Sequence, residues 1–340
     1  MTGKERCLDA LAGRTPDRVP VFPLLMFLPA ARLGISYRDF ATSGRAMADA
    51  QLNARRLFHL DAITSCSDAF RISADLGGDM VFPEDGVPHL RSPLVRGPGD
   101  LARLSRPDPS DRHTRMADRV RAVEEMARAA GSECLIVGWV DMPFAEACSA
   151  CGVTELMLLV SDEPALAHRL LEFLTGIVIE FALAQLEAGA PMIGAGDAAA
   201  SLISPAMYRE FALPYEQRVF EAIHSHSGLG KLHICGNTTA LLADICRSGA
   251  DLVNVDHMVD FHSACDVYGG AGICFKGNLD PVADMLHATP AECAHRARER
   301  IHDAAGLRYM LSPGCEVPAG VSDEVLRAFC DAPERAAASA

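Results

Sequence analysis

Short apolar runs alternate with helix-like stretches along the whole chain, which predicts an α/β protein built as a single (β/α)8 TIM barrel with N-terminal helical additions. Three observations carry that prediction. Eight apolar or β-branched runs occur, most of them followed by a turn or loop and then a helical pattern. No Gly-rich phosphate turn follows the first run, where the chain reads PLLMFLPA, and a doubly wound sheet usually shows one there. Polar residues recur at the C-terminal ends of the runs, the end of a barrel where chemistry collects.

The expected strands are 19–23 (VPVFP), 62–66 (AITSC), 135–140 (LIVGWV), 191–195 (PMIGA), 231–235 (KLHIC), 251–255 (DLVNV), 272–276 (GICFK) and 308–312 (RYMLS). Between them, residues 115–130 read as a helix with mixed apolar and charged faces, closed by Gly131. Residues 164–188 follow Ser161-Asp162-Glu163-Pro164, a capping and first-turn signal, and stop at Gly189. A helix over 205–227 opens with Ser204-Pro205, and further helix starts are expected near Thr239, Ala283 and Pro290. Residues 92–113, rich in proline, glycine and charge, read as an excursion from the core. The whole of 1–340 is expected to be one domain, with 1–18 an N-terminal extension and the Ala-rich 331–340 a flexible tail.

Composition narrows the partners. Hydrophobic residues make up 49% of 340, ample for a large core, and a formal charge of −14 argues against nucleic acid and anionic membrane surfaces. The longest apolar segment, around 165–187, carries His168, Arg169, Glu172, Glu180 and Glu187, a set that a membrane span would not tolerate. A soluble, cytoplasmic protein is expected. Its twelve cysteines should then be mostly thiols, many of them acting as small apolar fillers.

The strand ends gather Ser67-Asp68, Asp141, Asp197, His233, Cys235, Asp256-His257, Asn278 with Asp280, and Cys315. His233 and Cys235 are two apart, so in a strand they share a face. With Cys315 at the corresponding end of the eighth run they make a candidate Cys2His zinc site with one open position. A lone H-x-C is a weak signal, and the same residues also fit a chain with many buried cysteines. Cys148 and Cys151 are spaced as neighbours on one helix face and read as packing. His224 and His226 suit a helix C-terminus, and Trp139 a barrel wall.

Lys4-Glu5-Arg6, Pro16-Asp17-Arg18-Val19-Pro20, Ser67-Asp68, Glu84-Asp85 with Pro88, Asp197 with Ser201 and Ser204-Pro205, Lys276-Gly-Asn278-Leu-Asp280-Pro281 and Ser312-Pro-Gly-Cys315 span nearly the whole chain. In these segments the sequence resembles the uroporphyrinogen decarboxylase superfamily, and within it the methylcobamide:coenzyme M methyltransferase branch. The decarboxylases carry an arginine-rich segment after the first strand that grips substrate carboxylates. Here that stretch is Pro23–Arg32, apolar with a single arginine. Substrate carboxylates would be left unpaired. Decarboxylation is therefore not expected, although Asp68 matches that enzyme's catalytic aspartate by motif. The methyltransferase branch is marked by H-x-C and a distant cysteine that hold a catalytic zinc, and His233, Cys235 and Cys315 match it residue by residue.

The resemblance implies a zinc-dependent methyltransferase that moves a methyl group between a corrinoid and a coenzyme M-like thiol. In the alternative direction it would take methyl from a methyl ether or methylamine to cobalt(I). A non-catalytic zinc or carrier-binding module is the rival from another class, and it would require a fourth protein ligand on the metal. No D-x-H-x-x-G segment occurs, so the methylcobamide is expected on a separate corrinoid carrier protein. Asp197, His257 and Asp68 are the candidate catalytic residues, with Asp197 an exchangeable metal ligand or a helix cap and His257 a proton carrier. Asn278 and Asp280 are the candidates for cofactor contact. The apolar Leu24–Leu28 stretch is expected either to line the mouth or to form part of an N-terminal cap.

Overall fold

Seven of the eight expected runs form strands that pair in parallel and in chain order. They are β1 (Ala62–Thr64), β2 (Leu135–Asp141), β3 (Met192–Gly196), β4 (Leu229–His233), β5 (Leu252–Asn254), β6 (Cys274–Leu279) and β7 (Tyr309–Pro313). The structure, a computed structural model, describes residues 1–83 and 86–337. The parallel sheet curls into a TIM-barrel-like fold with helices between successive strands, the βα alternation read from sequence.

The first run, 19–23, is not a regular strand. Pro20 and Pro23 have no N–H to give to a ladder, so pairing there shrinks to single positions. Val21 bridges Leu311 and Leu24 bridges Glu316, both in parallel. The segment still bonds both edges of the sheet: Phe22 N–H donates to Leu311 O at 3.0 Å, and Asp61 N–H donates to Val21 O at 3.1 Å. The fifth run is displaced by two residues, ending at His233, so Cys235 lies just past its strand.

Helix Arg115–Ala130 has the expected bounds and is capped by Thr114, whose hydroxyl accepts from Ala117 N–H at 3.0 Å. Pro164–Glu187 is likewise continuous. The helix expected over 205–227 divides into Pro205–Phe211 and Leu213–Ser225, because Pro214 cannot continue the ladder of the first piece. Pro290–Asp303 begins with a full capping box of Thr289 and Glu292. The helical starts near 239 and 283 are short: the turn Thr239–Leu241 runs on into the helix Leu242–Ile245, and Pro281–Leu286 is a single turn. The excursion 92–113 contains only the turn Pro98–Leu101. A small antiparallel ribbon, Met80–Val81 with His89–Leu90, was not foreseen. At the C-terminus, Ala332–Ala337 is helical and Ala332 is buried.

Strand periodicity sorts the core into two parts. Phe22, Ala62, Leu135, Val137, Met192, Leu252, Cys274 and Met310 form the inner floor of the sheet, closed from below by Cys7 and Ala10 of helix Gly3–Leu11. Residues of the opposite parity, such as Ile136, Ile193, Leu232, Val253 and Phe275, meet the surrounding helices. The inner layer is unusually polar for a core. Lys276 is fully buried, its Nζ donating to Phe22 O at 2.6 Å and Ser312 Oγ at 3.2 Å, with the Phe22 ring 3.9 Å away. Without those partners a buried ammonium would cost several kcal/mol (on the order of the effective desolvation penalty). All twelve cysteines are free thiols, and eight are buried, as expected of apolar fillers. Among the described residues no single helix is long and apolar enough to cross a membrane.

Candidate metal centre

His233 ends β4 and faces inward with Lys231 two residues before it, while Cys235 continues the same face past the last ladder position. Cys315 arrives from the far side of the curled sheet, two residues beyond β7. Three ligand atoms converge there. Cys235 Sγ lies 3.0 Å from His233 Nε2 and 3.5 Å from Cys315 Sγ, and Cys315 Sγ lies 3.6 Å from His233 Nε2. His233 is buried, and both cysteines are half-buried at the mouth. Among the described residues this is the one group of three or more His, Cys, Asp or Glu side chains with the spacing to hold a metal ion.

Two glycines make the convergence possible. Gly314, before Cys315, lies against the backbone of Asp256 and His257; a Cβ there would come 2.9 Å from the Asp256 carbonyl carbon. The Asn254 side chain donates to Gly314 O at 3.1 Å, and Gly314 N–H donates to Leu279 O at 2.8 Å, so the turn carrying Cys315 is held from two strands. On β3, Gly194 leaves room for the indole of Trp139, which a Cβ would meet at 2.6 Å. Trp139 in turn covers Lys231, whose Nζ is 4.5 Å from the ring centroid.

The two thiols titrate as a unit. The hydrogen bond between them stabilises the Cys315 thiolate and drives its pKa down; burial opposes this and His233 assists. The same hydrogen bond pushes Cys235 up, with burial adding to the rise. One proton therefore leaves easily and the second does not, as for two like charges in one site. Burial pushes Lys231 down to about 8, the nearby Cys66, Cys235 and Cys315 opposing it. Glu316, directly after Cys315, accepts from Phe27 N–H at 3.2 Å; burial pushes it up to about 7, the Phe27 bond opposing and Cys315 adding.

The other residues expected at the site are placed as follows. Asp68 is buried and gripped at both oxygens by Arg115, at 3.0 and 2.7 Å, with Ser67 Oγ donating at 3.0 Å. Asp141 pairs with the fully buried Arg71. Asp197 has the parity of Ile193 and Ala195 and no exposure; its backbone N–H donates to His233 O at 2.9 Å. Its carboxyl is driven upward by burial and by neighbouring Glu216, whose Oε2 accepts from Tyr208 at 2.5 Å. It makes no side-chain cap for the 198–202 turn and stands outside the three-residue cluster. His257 is exposed at the mouth, with Nδ1 3.1 Å from Asp256 Oδ1 and Nε2 3.8 Å from Asp280 Oδ2. Asn278 donates to Asp256 O at 3.2 Å and Val259 O at 2.7 Å and accepts from Arg300 at 3.2 Å, which ties β6 to the 256–259 loop. Asp280 caps the Pro281–Leu286 turn.

Lys231 and Glu316 were not among the expected site residues, and Lys276 was noted only as part of a family segment. The signal for Lys231 was available, since 231, 233 and 235 share one parity, and a lysine at an inward position of a barrel strand needs a reason. The Leu24–Leu28 stretch does both things expected of it. Leu24 packs with Met26, Cys66 and Trp139 at the mouth, while Leu25 and Leu28 join the main core, and Leu28 opens helix Leu28–Arg32.

The sequence profile of the family described as Uroporphyrinogen decarboxylase (URO-D) matches residues 2–336. The chain belongs to this family. A uroporphyrinogen decarboxylase from Xanthomonas axonopodis pv. citri is 30% identical over 308 residues, covering 85% of this chain and 84% of that protein. One from Xylella fastidiosa is 26% identical over 322 residues, covering 90% and 89%. Among solved structures, a methyltransferase from Methanosarcina mazei superposes with a TM-score of 0.89 at 23% identity, covering 98% of this chain and 99% of that one. A B12-independent methionine synthase from Shewanella sp. W3-18-1 gives 0.58 at 14% identity, covering 87% of each chain. These likenesses establish the shared fold.

The URO-D segments seen in the sequence have structural work to do here. Arg6 and Arg18 both reach the buried Asp61, at 3.1 and 2.6 Å, and Arg6 also pairs with Asp17 at 2.5 Å. Asp61 then accepts from Val21 N–H at 2.8 Å, which fixes the irregular first run beside β1. Glu84 and Asp85 lie outside the described residues.

Proposed function

We propose that this URO-D family member is a zinc-dependent methyltransferase, moving a methyl group between a corrinoid on a separate carrier protein and a small-molecule thiol. The observation that carries the reading is the convergence of His233 Nε2 with the Cys235 and Cys315 sulfurs. A zinc ion with two Zn–S bonds of ~2.3 Å and one Zn–N bond of ~2.05 Å in tetrahedral array holds the sulfurs roughly 3.8 Å apart and each sulfur roughly 3.6 Å from the nitrogen. The distances here are 3.5, 3.6 and 3.0 Å, so the donor set fits with small adjustments. Three protein ligands leave a position open, which suits catalysis over a closed structural site. Bound there, zinc would hold an incoming sulfur as thiolate.

The protein's own groups complete the reading. His257, backed by Asp256, is the group we assign to receive the thiol proton. With a methylcobamide as co-substrate, the thiolate would supply the electron pair of the new C–S bond and cobalt(III) would keep the pair of the broken C–Co bond, leaving as cobalt(I). Exposed Leu202, Met258 and Val282 stand on the loops after β3, β5 and β6, at the same end as the three ligands, and offer a carrier an apolar rim. In the same reading, residues 20–22 serve as the eighth stave of a closed barrel, and the reduced thiols belong to a cytoplasmic protein.

Decarboxylation is the second reading, favoured by the names of the curated relatives. It meets two obstacles. Arg32, the single arginine of the segment after the first run, is turned to Asp323 at 2.8 Å and to the carbonyls of Ala319 and Val321. Asp68 has both oxygens engaged by Arg115. The deciding experiment measures zinc by atomic absorption and methyl transfer from methylcobalamin to thiols by loss of the methylcobalt spectrum. Wild type is expected to carry about one zinc per chain, and Cys315→Ser to lose most of the metal and more than ~100-fold of the rate. Full zinc and full rate in Cys315→Ser, or conversion of uroporphyrinogen to coproporphyrinogen at enzymatic rates, would overturn the reading.

A further inference from the structure

A cavity of about 370 Å³ lies at the end of the sheet opposite the metal centre, where the methyl-transfer reading assigns nothing. Helices Gly3–Leu11 and Pro290–Asp303 both end there, and the chain turns away from each through a glycine in the left-handed region, Gly13 at φ 72° and Gly306 at φ 83°. Arg308 and Tyr309, where β7 begins, add to the wall.

Three arginines line this cavity, Arg14, Arg18 and Arg308, and none of its lining residues is acidic, in a chain whose formal charge is −14. A guanidinium stays charged throughout the range in which proteins fold, so the sign of the site does not turn on a titration. Their donors are not all used. Among the described residues Arg308 has no carboxylate partner, and its side chain makes a single long hydrogen bond, from Nη1 to Leu11 O at 3.4 Å. Its guanidinium lies against Gly13, where a Cβ would come within 2.7 Å of Nε. Arg14 meets Asp9 through Nε and Nη2, at 2.7 and 2.6 Å, but it is 63% exposed, and such surface pairs contribute little in water. Arg18 is only 9% exposed and gives both terminal nitrogens to Asp61. Its buried Nε has no hydrogen-bond partner among the described residues; Glu334 Oε1 stands 3.6 Å away.

Helix C-termini carry partial negative charge, so one guanidinium near Leu11 O needs no ligand to explain it. Three around one cavity, with donors left over, call for one. We infer that this cavity binds a small molecule bearing a multivalent oxyanion, a phosphate or a polycarboxylate, held by the open fork of Arg308 and the Nε–H of Arg18, with Arg14 at the exposed side. Ala10, Ile301 and Leu307 offer apolar contact to the rest of the molecule.

Titration calorimetry of the full chain with inorganic phosphate and with succinate tests this and separates the two sources of the oxyanion. The ionic strength is held near ~0.1 M, where exposed charges more than about 10 Å apart are largely screened. At least one of the two anions is expected to bind one per chain with a Kd of about 1 mM or tighter, and to raise Tm in step with its concentration. Arg308→Gln should weaken that binding about tenfold or more, the scale of one charge-assisted hydrogen bond. Ala305→Glu, on an exposed turn of the wall, brings a carboxylate among the arginines and should do at least as much. Arg56→Gln removes an exposed arginine at the same end but outside the cavity, and binding should stay within about twofold. Circular dichroism checks that each variant is folded. Failure of both anions to bind below about 10 mM overturns the inference, as does unchanged binding in either cavity variant or an equal loss in Arg56→Gln. None of these outcomes depends on zinc or on methyl transfer, so the proposed function stands or falls separately.

Discussion

Asp68→Asn separates a structural carboxylate from a catalytic one. Burial by itself would raise the Asp68 pKa, but the Arg115 guanidinium more than offsets this and holds it at about 2, against 3.8 for an unperturbed side chain. At ~1.4 kcal/mol per unit, that difference corresponds to about 2.5 kcal/mol of folding free energy at neutral pH. The side chain has no exposure, so solvent screening does not discount it. The substitution also strands Arg115, only 13% exposed, without its partner, so a total loss of about 2–4 kcal/mol is expected. The sign of the pH dependence follows from the depressed folded-state value. The contribution is complete above about pH 4 and drains away as pH falls toward 2, so the gap between wild type and Asp68→Asn should be flat from pH 8 to 5 and shrink below that. Urea denaturation at a series of pH values measures it. The double variant Asp68→Asn/Arg115→Met should recover part of the loss, because it removes the stranded charge. A stability loss under ~0.5 kcal/mol, accompanied by a collapse of methyl transfer, would refute the reasoning and make Asp68 catalytic.

Two further substitutions probe other buried features. Gly314→Ala should push the Cys315 turn off the Asp256–His257 backbone, weakening zinc retention by about tenfold or more and destabilising the fold by ~1–3 kcal/mol; competitive chelation and thermal unfolding read the two effects. Glu146 is buried with Oε2 unpartnered among the described residues, and burial first, then Asp141, drives its pKa well up. The folded state therefore keeps a proton that the unfolded state gives up above 4.5, and stability falls as pH rises past that point. Glu146→Gln should accordingly stabilise the protein by ~1 kcal/mol or more at pH 7, with the gain vanishing near pH 4, as read from denaturant midpoints.

Most of the fold was legible because it rests on local pattern. Apolar runs of strand length, proline after a capping residue and glycine past a helix end all act within a few residues, and 115–130 and 164–188 were accordingly placed almost to the residue. The misses are places where local signals compete. VPVFP has the composition of a strand, but its prolines remove the donors that a ladder needs, so it holds its place through Asp61 and two isolated bridges. The 205–227 helix was overextended because Pro214 sits amid good helix formers, and its cost at the break was overlooked. The ribbon of Met80–Val81 and His89–Leu90 is two residues wide on each side, too short for any periodicity to register.

The candidate site divides along a similar physical line. Parity told which side chains share a face, so H-x-C at the end of one strand was readable; the end of the eighth run offered the distant partner Cys315, which the resemblance then matched. Asp197 has the parity of Ile193 and Ala195 and lies buried beside Glu216. What sequence could not supply is how polar and charged groups far apart in the chain choose partners: Arg115 with Asp68, Arg32 with Asp323, Phe27 N–H with Glu316. Those long-range choices decide the chemistry at the mouth. An arginine counted along the chain looks like an anion clamp; the same arginine, once paired, no longer offers its guanidinium to a ligand. What a site on this fold can bind therefore depends less on which ionisable residues the chain carries than on which of them the fold has already paired.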